Sequence, residues 1–316
     1  MTLVAFQTGL LRDGQRLDCP PGYRVGRRVF RNHKGKDEGR ITAQKALEVS
    51  CNTFFYKLMD EMPLHTWHRW AQAFGFGQKT PLKGFRQSTG LIPDSSYFAQ
   101  AYGQWTQGYT INLGIGQGDM SVTPLQLARY TAALGNGGRL PTPHLVQKAV
   151  HPETGRTERP SLAPPDTIPV DSIYFERVQE GMHRVMTKGT GRWVQVPDIP
   201  SAGKTGTAQN PHGRDHSLFI MFAPYEDPEI AIAVTVENAG YGATAAAPMA
   251  SLMAEKYLTG TIADTWERRY WQQRLREEVR SGPEREPSPS SPSPSSPTTP
   301  VNTSVSDSTR SQASSR

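Results

Sequence analysis

The strongest constraint on the fold is a change of period near residue 200. From there the chain carries three strand-like runs in succession, "KTGTAQ", "HSLFIMFAPY" and "PEIAIAVTVENAG", joined by short polar turns. The first is short and β-prone, the second is an apolar run ended by proline, and the third alternates and ends in glycine. Consecutive strands with short links predict an antiparallel meander. "TAAAPMASLMAEKYL" follows as a helix of small residues, able to approach a sheet closely. The text before residue 200 is mostly helical, so the order predicts an α/β fold with one antiparallel sheet covered by helices on both faces.

The helical part starts directly in "MTLVAFQTGLL", with Leu3, Phe6 and Leu10 at helix period. A single helix is predicted from Thr42 through "TAQKALEVSCNTFFYKLMD", and another over "LHTWHRWAQAFGFG", stopped by Gly75 and Gly77. A glycine- and proline-rich excursion runs from Gln78 to about Asp119. Thr123 caps the next helix with Pro124 at its first position, and "DSIYFERVQEGMHRVMTKGTG" supplies one more. The globular region is predicted over 1–260, a charged, solvated surface helix over 261–281, and a disordered Ser/Pro-rich tail over 282–316, where almost no large apolar residue is available to offset the entropy of ordering.

Net charge is +6 and the pI about 9.3. The Lys and Arg are scattered, with no interleaving of basic and aromatic residues, so nucleic acid is not predicted as a partner. Cys19 and Cys51 make no framework and no metal cluster, and their oxidation state stays open. His65 and His68, and His212 and His216, are pairs without further ligands nearby, so no metal site is predicted. No apolar run reaches the length of a membrane span.

The densest chemical signal is "PSAGKTGTAQNPHG", Pro200–Gly213. Gly203-Lys204-Thr205 matches the second half of a phosphate-cradling loop. The glycine needed five residues earlier is Asp198, and Pro197 and Pro200 remove two backbone donors, so a nucleotide site is rejected. In a strand, Lys204 and Gly206 face one way and Thr205 and Thr207 the other. Glycine lets another backbone approach. Such an edge suits an extended peptide held by ladder bonds, with hydroxyl and ammonium groups near its carboxylate.

Lys204-Thr205-Gly206 resembles the K-T-G box of penicillin-recognising acyl transferases, and Ser50-Cys51-Asn52 resembles their S-x-N box about 150 residues upstream. "INLGIGQGDMSVTPLQLARYTAALGNGGRLPTPHLV" and "AGYGATAAAPMASLMAEKYL" are similar to flanking segments of class B penicillin-binding proteins, closest in phrasing to those of cell elongation. The resemblance, over 1–258, implies a penicillin-binding transpeptidase or serine β-lactamase-like fold. It implies a D,D-transpeptidase that cross-links peptidoglycan stem peptides through a serine acyl-enzyme. Carried onto this chain, Ser50 relays a proton to the amine, and Asn52 binds the substrate amide. Lys204 sets the field around Ser50 and attracts the substrate carboxylate. Thr205 binds that carboxylate, Gly206 permits close approach, and Thr207 offers its N–H to the oxyanion. The implied partners are stem peptides and their lipid-linked precursor, β-lactams, and membrane proteins of the elongation machinery. No cofactor is implied, and the implied place is the cell envelope, with a membrane anchor on the complete protein.

The family's nucleophile lies in an S-x-x-K at a helix start. The S-x-x-K here, Ser201 to Lys204, overlaps the K-T-G box in a proline-flanked strand entry and is the wrong element. The nucleophile and its lysine are therefore expected to be absent from this chain, with "TLVAFQTGLL" standing where the helix should follow them. An N-terminally truncated transpeptidase is expected, inactive alone. A β-lactamase or β-lactam sensor of the same superfamily, and a non-catalytic pseudoenzyme, are the alternatives.

Overall fold

The computed structural model describes residues 1–281. Helix α1 (Thr2–Gln7) is followed by two small antiparallel ladders, in which β1 (Leu17–Asp18) pairs with β4 (Arg40–Ile41), and β2 (Gly22–Val25) with β3 (Arg28–Arg31). Helices α2 (Ala43–Val49), α3 (Asn52–Glu61) and α4 (Leu64–Ala73) come next. The glycine-rich excursion carries α5 (Ser95–Tyr102), α6 (Gln107–Thr110) and a 3-10 turn at Ile111–Ile115. Helix α7 (Pro124–Gly135) starts as its sequence predicts: Thr123 and Gln126 form a reciprocal capping box, with Pro124 in the first turn. Two short ladders follow, β5 (Arg139–Leu140) with β8 (Asp166–Thr167) and β6 (Ala149–Val150) with β7 (Thr157–Glu158), and then α8 (Ser172–Thr187).

The three strand-like runs become β9 (Ala202–Ala208), β10 (His216–Ala223) and β11 (Ile230–Val236), an antiparallel sheet in the order β11-β10-β9. Alternation along β10 divides the core. Phe219, Met221 and Ala223 pack with Ile232 and Val234 of β11 and with Ala246, Ala247, Ala250 and Ala254 of α9 (Ala246–Thr259). Phe222 and Ala202 face the other way, onto Ala133 and Leu134 of α7 and Phe175, Val178 and Met182 of α8. Helices thus cover both faces. The register is pinned because a slip by one residue would exchange the two sets of apolar side chains. It sets Lys204 opposite Ile220 and Thr205 opposite Phe219, and leaves β9 at the edge of the sheet.

The helix predicted as continuous from Thr42 is broken. Thr42 caps α2, but Ser50 is in the left-handed region (φ 56°, ψ 49°) and Cys51 is extended. Helix propensity does not predict this, and tertiary bonds override it. Cys51 is joined to Cys19 by a disulfide, and the backbone N–H of Asn52 donates to Asn32 Oδ1 at 2.8 Å. Cys51 Sγ then caps α3 by accepting from Phe54 N–H.

The charged helix α10 spans Trp266–Ser281, and it is not solvated all round. Arg268 is 2% exposed and lies between α9 and the turn at Gln195. It donates to Ser251 Oγ and to the Gln195 carbonyl, each at 2.9 Å. Its Nε is also 2.9 Å from Glu255 Oε2, an ion contact whose N–H is not aimed well enough to satisfy that oxygen. Among the described residues no helix is long and apolar enough to cross a membrane. The predicted tail, 282–316, lies outside the described residues.

Removing one partner of a buried ion pair strands the other. Arg268→Ala is expected to cost about 3–5 kcal/mol in urea unfolding. Arg269→Ala, whose partner Asp264 is exposed, is expected to cost under about 1 kcal/mol. Equal effects would show that α10 is not anchored through Arg268.

Candidate active site

The break between α2 and α3 and the start of β9 meet at one hydrogen bond. Lys204 Nζ donates to Ser50 Oγ at 2.6 Å and to its neighbour's carbonyl, Thr205 O, at 2.8 Å. These residues are 154 apart in sequence. A non-glycine residue in the left-handed region is uncommon and costs roughly 1–3 kcal/mol where it is strained. Here it turns the Ser50 hydroxyl out of the helix end towards the sheet. Because the lysine donates, the Ser50 proton is left free to point elsewhere.

Burial lowers the pKa of Lys204 to about 8. At pH 7 about nine-tenths of it is still ammonium. His33 lies within the field of Lys204, and its own pKa is lowered, first by burial and then by Lys34 and Lys204.

Of the other residues singled out in the sequence, Asn52 opens α3 two residues beyond Ser50. Thr205 Oγ1 is 2.8 Å from Thr190 Oγ1. Gly206 faces Leu218 across the β9–β10 ladder, and Thr207 Oγ1 accepts from Gly242 N–H at 3.4 Å. Ser201 is 3% exposed, and its hydroxyl has no hydrogen-bond partner among the described residues. Lys204 reaches Ser50 and not Ser201, so the Ser201–Lys204 match to S-x-x-K carries no site.

Several residues that complete the arrangement went unread in the sequence. Asn32, 5% exposed, accepts from the backbone of both Asn52 and His33 and donates to the Lys36 carbonyl, so it fixes the turn that faces the site. Thr190 joins the two halves. Its N–H donates to Glu48 O near the end of α2, and its hydroxyl pairs with Thr205. The approach requires glycine beside it, since a Cβ on Gly189 would sit 2.3 Å from Glu48 O. "TKGTG" signals a helix end but not this bridge. Gln117 Nε2 donates to Thr207 O at 2.6 Å from a loop 90 residues away.

The geometry offers a hydroxyl held by a lysine of lowered pKa, a second hydroxyl, and an open strand edge. That set suits proton transfer beside a bound carboxylate. Residues 1–255 match the family described as penicillin binding protein transpeptidase domain. The chain is 37% identical over 235 residues to the peptidoglycan D,D-transpeptidase MrdA of Acinetobacter baumannii, covering 69% of this chain and 34% of that one. The crystal structure of Pseudomonas aeruginosa PBP2 in complex with WCK 5153 superposes with a TM-score of 0.73 at 34% identity, over 83% of this chain and 60% of that one. A complex between PBP2 and MreC from Helicobacter pylori gives a TM-score of 0.68 at 27% identity, over 82% of this chain and 49% of that one. The chain spans about a third of the length of the curated relatives it matches.

Lys204 has a folded pKa of about 8 against an unfolded value of 10.5. The folded state therefore binds fewer protons between those values, and this group makes the fold more stable as pH rises from 8 to 10.5. Lysine-selective NMR should show one Nζ titrating near pH 8, and that signal should vanish in Lys204→Met. A midpoint above 10 for every lysine would show that the ammonium is solvated.

Proposed function

The chain belongs to the penicillin-binding protein transpeptidase family, and from that membership and the site geometry we propose that it forms the substrate-holding and proton-relay part of a peptidoglycan D,D-transpeptidase. The observation that carries this is the 2.6 Å bond from Lys204 to Ser50 beside the Thr205 hydroxyl at an open strand edge.

In this role Lys204 and Thr205 hold the terminal carboxylate of a D-alanyl-D-alanine stem peptide. Thr190 supports Thr205: when the Thr190 hydroxyl donates to Thr205, the Thr205 proton is free to donate to the carboxylate. A serine hydroxyl attacks the penultimate carbonyl, the bond to the terminal D-alanine nitrogen breaks, and an acyl-enzyme forms. Ser50 delivers the proton that the departing amine takes up, and Lys204 restores the Ser50 proton and is itself replenished by the proton that the attacking serine gives up, so none is gained or lost. Thr207 N–H, on the free edge, stabilises the oxyanion, a contribution of about a hundredfold or more in rate. Asn52 binds the substrate amide. In the second half an amine of another stem peptide attacks the ester and its proton returns through Ser50. By the same chemistry β-lactams are ligands. A membrane protein of the elongation machinery is the proposed partner of the complete protein, which we place in the cell envelope with a membrane anchor.

The attacking serine is not assigned to any residue of this chain. Ser201 is buried, and Ser50, bonded to Lys204, has the relay as its proposed role. The purified 316-residue chain is therefore expected to give no covalent band with fluorescent penicillin on a denaturing gel. It should still bind a D-alanyl-D-alanine peptide weakly, and less well above pH 8 as Lys204 loses its charge. A covalent band abolished by Ser50→Ala would make Ser50 and Lys204 a nucleophilic pair and overturn the proposal.

A further inference from the structure

Among the described residues, strand β9 has β10 on one side and no strand on the other. The carbonyls of Thr205 and Thr207 both accept from side chains, Lys204 and Gln117, which puts the backbone groups of alternate residues 205, 207 and 209 on the free edge. Exposed edges invite another strand. At the far end of this one the invitation is already answered. Gln117 Nε2 donates to Thr207 O at 2.6 Å, and Gln117 Oε1 accepts from Gln209 N–H at 3.3 Å. One primary amide thus supplies the donor and the acceptor that a residue of an added strand would supply around Ala208.

The loop that presents this amide is firmly seated. Gln117 N–H donates to Asn112 O at 3.0 Å, within the turn that starts at Ile111. That turn lies on α3, the helix opened by Asn52. A Cβ on Gly114 would be 2.7 Å from Phe55 O, so only glycine permits the contact. The amide is therefore held at β9 by the same helix that Asn52 opens, and Gln117 is only half-buried, within reach of a ligand lying along the edge.

We propose that Gln117 is a strand surrogate that governs how an extended peptide docks on β9: its side-chain amide occupies Thr207 O and Gln209 N–H until a backbone amide of the substrate displaces it. This rests on the proposed peptide-holding role of β9 and adds a specificity rule. A ligand bearing a backbone amide on the acyl side of its carboxylate must take Thr207 O from Gln117 and so displace its amide, whereas a ligand reduced to the carboxylate contacts only Lys204 and Thr205 and does not disturb Gln117. Gln117 is a positioning residue in this scheme and carries no proton.

The test compares two ligands on the full chain and its Gln117→Ala variant. N-acetyl-D-alanyl-D-alanine carries the backbone amide, and acetate carries the carboxylate alone. Affinities are read by NMR titration, with backbone hydrogen exchange of Gln209 followed without ligand. In Gln117→Ala the Gln209 amide should exchange faster. The peptide should bind about 3- to 10-fold more tightly, because each bond no longer displaced has a modest net worth. Acetate affinity should not change. Unchanged peptide affinity in the variant, or equal loss for both ligands, would overturn the proposal and make Gln117 a structural clasp. Acetate binding abolished by Lys204→Met together with unchanged peptide affinity in Gln117→Ala would sink this inference alone. Failure of both ligands to bind either protein would overturn the functional proposal, and this one with it.

Discussion

One hydrogen bond, from Lys204 to Ser50, ties together the parts of the chain proposed to carry the chemistry. It joins the broken helix α2–α3 to the edge strand β9 and brings a serine and a lysine 154 residues apart into one place. The disulfide Cys19–Cys51 and the Asn32 side chain hold the break open from below. Thr190 crosses from Glu48 to Thr205 on the other side. The sheet behind β9 is filled by phenylalanines on one side and a helix of alanines on the other, so the strand carrying Lys204 has little room to shift.

The electrostatics follow from that enclosure. A lysine with an ordinary pKa would keep its proton at all physiological pH and act only as a fixed charge. Burial brings Lys204 down to about 8, close enough to neutrality for it to share a proton with a hydroxyl and still carry charge for a carboxylate. The two duties proposed for it pull in opposite directions, since attraction is best at low pH and proton acceptance at high pH, and a value near 8 falls between them.

Much of this was legible in the sequence, for physical reasons. The three strands could be read because short apolar runs between polar turns leave few alternatives, and α7 could be read because Thr123, Pro124 and Gln126 each act locally. The K-T-G and S-x-N residues could be singled out by their resemblance to a family's boxes, and the structure brings Lys204 of one to Ser50 of the other. What escaped was set by contacts between distant residues. Ser50 sits in what looks like good helix text, and the contacts that go with its break, to Asn32, Cys19, Thr190 and Lys204, all come from elsewhere in the chain. Thr190 and Gln117 carry no local signal, because their partners are 15 and 90 residues away. The burial of Arg268 on a helix rich in charge was hidden for the same reason: its partner, Glu255, belongs to α9.

The central claim is that Lys204 and Thr205 form a carboxylate site served by Ser50, in a chain whose own serines do not attack. A crystal structure of the chain soaked with a D-alanyl-D-alanine peptide tests it most directly. The account predicts the terminal carboxylate within about 3 Å of Thr205 Oγ1, with the peptide extended along β9 and no covalent bond to protein. A carboxylate bound away from Thr205, or an acyl group on Ser50, would contradict it.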